Sequence, residues 1–174
     1  MSTKQERIKT MRAISNQDNV IDSRDVIERI EELEAELQTL QDEVEEIEDN
    51  LGGIDCDDDP EAYSRTEESL EDAKEAVEDW KNSEEAEELA VLKSLAEEAS
   101  DSPDWKYGET LINDDYFTEY IKELIDDCYE MPKEINSGRW PYNHITVDYE
   151  SAAEEAKQDY LSVDYDGATF WIKA

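Results

Sequence analysis

The sequence predicts an α+β fold, mainly α, in which an acidic, coiled-coil-like helical hairpin precedes a small aromatic-rich α+β domain ending in a β-hairpin. Three observations predict it. Apolar residues recur at alternating intervals of four and three from Val26 through Ile30, Leu33, Leu37, Leu40, Val44 and Ile47 to Leu51, a heptad seam sustained for more than three heptads. Thirteen of the 15 aromatic residues lie after residue 102, enough for a core in the last third of the chain. The closing stretch YLSVDYDGATFWIKA places an Asp-Gly turn between two strand-like runs, which reads as a β-hairpin around Asp166 and Gly167.

Charge divides the chain into the same parts. Of 174 residues, 51 are acidic and 16 are Lys or Arg, for a formal net charge of −35. Residues 1–19 carry four basic and two acidic side chains, residues 20–102 carry 6 and 32, and residues 103–174 carry 6 and 17. The domain expectation follows: a flexible basic arm at 1–19, the acidic hairpin at 20–102 and the α+β domain at 103–174. A surface this acidic repels nucleic acid and anionic membrane, so basic proteins are its natural partners. No apolar run reaches the length of a membrane span, and no apolar stretch follows the N-terminal cations, so a cytoplasmic protein is expected. Cys56 and Cys128 are too few and too far apart for a disulfide framework or a paired-cysteine metal site.

The elements follow in order. Asp22 and Ser23 are N-cap candidates for the first helix, and NLGGIDCDDDP ends it, with Gly52 and Gly53 able to form a left-handed cap. Pro60 suits the first turn of a second helix, carried by Leu70, Ala73, Val77 and Trp80. A phase change at KNSEEAEEL, where Asn82 and Glu85 resemble a capping box, leads to a third stripe of Leu89, Leu92, Leu95 and Ala96. The glycine turn favours an antiparallel pairing within one chain, although a dimeric bundle satisfies the pattern equally. Beyond residue 102, Asn113 caps a helix reaching Tyr129, with Phe117, Ile121, Leu124, Ile125 and Cys128 inward. A Pro/Gly loop follows, then a short strand in HITV, a short helix capped by Asp148 and the closing hairpin. Trp105, Trp140 and Trp171 are expected in the core.

Catalytic patterns are sparse. His144 is the single histidine, and no phosphate-binding glycine loop or nucleophile elbow is present. The run Asp55–Asp59 lacks the glycine and the terminal glutamate of a calcium loop, and reads as an acidic turn. With 51 acids, a pair of carboxylates carries no information. The expectation is a chain that is not an enzyme and that needs no cofactor and no metal.

The charge itself remains. Four-apart pairs such as Glu28–Glu32, Glu32–Glu36, Asp42–Glu46 and Glu45–Asp49 destabilise a helix. Residues 25–49 hold 12 acids over roughly 37 Å of helix, at about 1.5 Å per residue. Residues 60–99 hold 14 over roughly 58 Å. Side by side they give about one charge per 1.8 Å, against about 1.7 Å for duplex DNA. Such repulsion is tolerated if the charged surface is itself the ligand. Acidic solvated coiled-coil faces, and proteins from a high-salt cytoplasm, are the competing explanations. The candidates to stand in for phosphates are Glu31, Glu32, Glu34, Glu45, Glu46, Asp49, Glu67, Glu68, Glu71, Glu75, Glu78, Asp79, Glu84, Glu85, Glu87 and Glu88.

A resemblance bears on this reading. DDYFTEYIKELIDDCYEMPKE, followed by NHITVDYESAAEEAKQDYLSVDYDGATFWI, resembles the C-terminal part of ArdA-type antirestriction proteins. The shared features are an aromatic-rich acidic helix, a Pro loop, a D-[YW]-E-x-x-A helix start, then DY and a DG hairpin ending in aromatics. NVIDSRDVIERIEELEAEL, at residues 19–37, is similar to the opening of small acidic proteins of phages and mobile elements that combine it with the same kind of ending. The ArdA-like part covers about 65 of 174 residues, through short motifs. It implies a mimic of duplex DNA, usually dimeric, that blocks type I restriction-modification enzymes. The surface acids it implies are Asp114, Asp115, Glu119, Glu123, Asp126, Asp127 and Glu130. The N-terminal half departs from that family, so a CRISPR effector or another DNA-handling nuclease stands beside the type I enzymes as the expected target. An adaptor that binds a partner through the apolar seam or the aromatic domain is the reading from another class.

Overall fold

Asp22 Oδ1 accepts the Arg24 N–H at 2.9 Å and so caps α1, a 30-residue helix over Ser23–Gly52. In the computed structural model, which describes residues 14–130 and 132–174, this helix leaves one compact unit and enters a second. Of the described residues, 14–26 together with those of 98–174 form a sheet unit, and Ile27–Glu97 form a helical unit. Residues 1–13 of the expected basic arm lie outside the described residues.

The helical unit is an antiparallel arrangement of α1 with α2 (Pro60–Lys81) and α3 (Glu84–Glu98). Its direction is fixed by contacts whose numbers run oppositely: Lys74 Nζ lies 2.7 Å from Glu48, and Lys93 Nζ lies 2.6 Å from Glu34. Leu33, Ala73, Leu89, Leu92 and Leu95 are buried, whereas Leu37, Leu40, Val44, Ile47 and Leu51 are half-buried. Neither Gly52 nor Gly53 takes a positive φ. The end of α1 closes instead through two i→i+3 turns, from Gly53 N–H to Asn50 O and from Ile54 N–H to Leu51 O, which satisfy two of the last carbonyls without a left-handed residue. Asp59 caps α2 by accepting from Ala62 N–H, with Pro60 in the first turn. The cap of α3 is Ser83 rather than Asn82: its hydroxyl accepts from Ala86 N–H at 3.4 Å, and Asn82 turns back to Glu78.

The sheet unit contains four antiparallel strands in the order β1 (Val20–Asp22), β2 (Thr110–Asn113), β4 (Ala168–Lys173), β3 (Tyr160–Tyr165). With six α-helices among the described residues, the fold is α+β and mainly α. Asp166 and Gly167 both have positive φ, 50° and 79°, as a tight two-residue hairpin turn requires. One sheet face carries Ile112 and Trp171, on which α5 (Asp114–Cys128) and α6 (Tyr149–Ala156) place Phe117, Ile121 and Ala153. Phe117 meets Tyr160 edge-on at 5.1 Å. On the opposite face Ile21, Leu111, Val163, Phe170 and Ile172 are buried, as are Val26, Ala99 and Trp105, the first residue of α4 (Trp105–Gly108).

The caps at Asn113 and Asp148 form as expected, accepting from Asp115 and Ser151 N–H. Three expectations fail. Leu124 and Cys128 are exposed, because the apolar arc of α5 narrows after Ile121 to the half-buried Ile125. HITV forms no strand: His144 ends a 3-10 turn at Tyr142–His144, and residues 145–147 belong to no strand of the sheet. Trp105 is buried and Trp171 half-buried, but Trp140 is 80% exposed.

Candidate functional site

The candidate surface is built from helix faces turned away from the seam. On α2 the acids Glu67, Glu68, Glu71, Glu75, Glu78 and Asp79 are all exposed. Separations of one, three, four, three and one residue keep them within about a third of the helix circumference, at about 100° per residue, in a stripe along one side. Six charges over about 18 Å of axis, at about 1.5 Å per residue, average one per 3–4 Å, with single steps from about 1.5 to about 6 Å. A single DNA strand has about 3.4 Å between its phosphates. On α1, Glu31, Glu32, Glu34, Glu45, Glu46 and Asp49 are exposed as well. On α3, Glu84, Glu85 and Glu87 occupy the exposed first turn, where the positive end of the helix dipole favours them. The backbone N–H of Glu85 and the Ser83 hydroxyl hold the Glu85 carboxylate below its ordinary pKa.

Few cations answer this charge. Within Ile27–Glu97 there are 28 acidic and five basic residues. Arg29 forms a two-point contact with Glu88, at 3.0 and 2.7 Å, and reaches Glu32 at 3.4 Å. Glu88 is held within the unit by this contact and is half-buried, whereas the other candidates are exposed. Glu34 pairs with Lys93, and Glu78 lies 3.9 Å from Lys81. Among the described residues no ion pair engages Glu31, Glu45, Glu46, Asp49, Glu67, Glu68, Glu71, Glu75, Asp79, Glu84 or Glu87. The seam flanks thus use their cations inside one chain, where a parallel homodimer would have set Arg29 against Glu34.

In the sheet unit the candidates lie on and just after α5. Asp115, Glu119, Glu123, Asp126, Asp127 and Glu130 are exposed. Lys122 pairs with Glu119 at 2.7 Å, and Tyr116 donates its hydroxyl to Glu123 at 2.8 Å. Asp114 has structural work. It accepts from Lys157 Nζ at 2.8 Å and from Trp171 Nε1 at 2.6 Å, and these two donors hold its carboxylate below the ordinary range. Lys157 in turn lies 5.0 Å from the Trp171 ring centre.

No protein-family model matches this chain, and neither does any curated protein or solved structure. Among the described residues no group of three or more His, Cys, Asp or Glu is arranged to hold a metal ion, the Asp55–Asp59 loop included. Nor is any described helix long and apolar enough to cross a membrane. Exposed apolar side chains lie on the last turns of α5 and in the loop after it: Leu124, Tyr129, Trp140, Tyr142 and Ile145; the sequence placed Leu124 and Trp140 inward and Ile145 in a strand, and none of the five at the surface. A signal was present, because SGRWPYNH has no period-two or helical apolar pattern that would carry Trp140 inward.

Proposed function

We propose that this chain is a phage or mobile-element anti-defence protein that acts inside the bacterial cell by mimicking duplex DNA. It occupies the basic DNA-binding cleft of a host defence enzyme, with a type I restriction-modification complex as the first candidate, and inhibits by competition without catalysis. The observation that carries the reading is the α2 stripe: six exposed acids whose mean axial density is close to that of one DNA strand, five of them without an ion pair among the described residues. The same acids repel one another, a cost that a surface serving only solubility would offset with interspersed lysine.

Competition tests this directly. A purified type I restriction enzyme is assayed on its target DNA with the protein added. Inhibition is expected, with relief by excess non-target duplex and by rising salt, because long-range attraction dominates the encounter. Inhibition that neither duplex nor salt relieves would instead favour the adaptor reading and its apolar seam. Glu71→Lys alone should weaken binding less than about threefold, as expected for one exposed charge. Neutralising Glu67, Glu68, Glu71 and Glu75 together to Gln should weaken it more than about tenfold, since several modest terms add. Equal affinity of that quadruple variant would sink the mimicry.

A further inference from the structure

Three of the five basic residues of the helical unit stand along one groove. Its α1 side is a flank of Glu34, Gln38, Gln41, Glu45 and Glu48, whose separations of four, three, four and three residues keep them on one side of the helix. Its α2 and α3 side carries Lys74, Lys81 and Lys93. Between the two sides lie cavities of about 380 and 510 Å³ that share Gln41, with Ala35, Leu37, Val44, Val77 and Leu89 as their apolar lining. Helices packed in a single layer leave one side of their seam open, and here Leu37, Val44 and Val77 are only half-buried.

Charge and symmetry select the occupant. The lysines keep about half of their side-chain surface in water, 54% for Lys74, 52% for Lys81 and 51% for Lys93, although each already has a carboxylate beside it. An ammonium group has three donors, so each has room for a second carboxylate. Glu45, on the facing flank, is exposed and has no ion pair among the described residues. A two-fold axis running along the groove lays the α2–α3 side of each copy over the α1 flank of the other without changing the level of any residue. Lysines of one copy then meet the other at levels the chain itself sets: Lys74 at Glu48, Lys93 at Glu34 and Lys81 at the uncharged Gln41. The groove thus complements itself, whereas a basic partner would meet its lysines and nucleic acid would meet the unit's excess of acids. The area suffices as well. Within the unit α1 runs about 39 Å, at about 1.5 Å per residue, and two helices are about 20 Å wide at about 10 Å each. The face of about 780 Å² is close to the roughly 800 Å² that each partner buries in a stable interface.

We propose that the helical unit pairs with a second copy of itself through this lysine-rimmed groove, in an isologous dimer that closes the two apolar linings on each other. The association does not rest on the DNA-mimic reading and needs no target. It accounts for the placement of the cations. Lysines spread among the outer acids would relieve repulsion along the helices, yet three of the unit's five basic residues stand at one groove. There they lower the charge of the one face on which two such acidic units can meet.

Sedimentation equilibrium of the full chain over a wide concentration range, at one fixed ionic strength, tests this. The parent should show a reversible dimer, twice the chain mass of 20.1 kDa. Lys74→Glu reverses a charge that occurs twice in a symmetric interface and should weaken dimerisation more than about tenfold. The control is Arg65→Glu, which changes the net charge by the same amount but lies on the opposite side of α2, about 160–180° from the lysines at about 100° per residue. It should dimerise as the parent does. Adding Glu48→Lys to Lys74→Glu returns the net charge to the parental value and should recover most of the lost affinity. Circular dichroism confirms that each variant is folded; if Lys74→Glu is not, Lys74→Gln replaces it, with a smaller loss in the same direction. A parent of monomer mass throughout, or one that assembles beyond a dimer, overturns the proposal. So does a Lys74 variant that dimerises as the parent does, or an equal loss in Arg65→Glu, which would assign the effect to net charge alone. Failure of the double variant to regain affinity overturns the facing of Lys74 and Glu48 on which the two-fold arrangement rests.

Discussion

Ser23 shows how much one hydroxyl can hold. It is fully buried, donates to Trp105 O at 2.7 Å and accepts from Glu109 N–H at 2.7 Å, so it fastens the start of α1 to the chain entering β2. Close by, Gly108 takes φ 103°, and an added Cβ would lie 2.6 Å from Arg24 Nε. Ser23→Ala strands a buried donor and a buried acceptor and should cost about 2–4 kcal/mol in denaturant unfolding. A loss within error of zero would show that the contact contributes nothing. Tyr160 gives an alkaline signature. Burial first, and then Tyr120, pushes its hydroxyl up to about 12. The unfolded chain loses this proton near pH 10 and the folded chain retains it, so stability is complete below about pH 10 and declines towards pH 12. Tyr160→Phe should flatten that decline, and an identical decline in the variant would contradict it. Asp114 works at the other end. Its lowered carboxylate stabilises the fold above the ordinary value of 3.8, and the contribution fades as pH falls through the lower folded value. The difference in stability between the parent and Asp114→Asn should therefore shrink in acid.

At the scale of elements, the strength of a sequence signal tracked the number of residues that shared it. The heptad run fixed α1, and the first-turn Pro60 and the caps Asn113 and Asp148 set their helix starts within a residue. The Asp-Gly turn marked the closing β-hairpin. β1 escaped notice because three residues of Val-Ile-Asp hold no period, and their partners lie about ninety positions away: Val20 pairs with Ile112 and Ile21 with Leu111. The candidate acids were legible for a simple reason: carboxylates without partners stay in water, and all but Glu88 are exposed. Trp140 was misjudged because composition alone assigned it inward. The seam is also uneven, with Leu33 fully buried and Leu40 only half-buried. Leu33→Ala should cost about 2–5 kcal/mol and Leu40→Ala clearly less, read by denaturant midpoints. Equal costs would mean that Leu40 is covered in solution. Because the helices carry so much like charge, adding salt should raise the melting temperature even as it weakens partner binding. A melting temperature indifferent to salt would remove the idea that repulsion strains the fold.

For the molecule as a whole, opposite responses to salt separate folding from function within one preparation, which few structural changes could imitate. The net charge of −35 gives a long-range field that speeds encounter with any basic surface and disfavours non-specific self-association. The order of the strands has a temporal consequence. β1 precedes the whole helical unit and β2 follows it, so their ladder can close only across the intervening chain, from Val20 to Ile112. Bringing distant segments together costs entropy that grows with the length of free chain between them. Helix formation and local side-chain contacts arise much sooner than pairings of that separation. The helical insert is thus expected to shorten the path first and the sheet to be completed last. Ile21→Ala should accelerate unfolding and leave the refolding rate nearly untouched, whereas Leu33→Ala should slow refolding. The reverse partition in stopped-flow measurements would place strand closure before the helices.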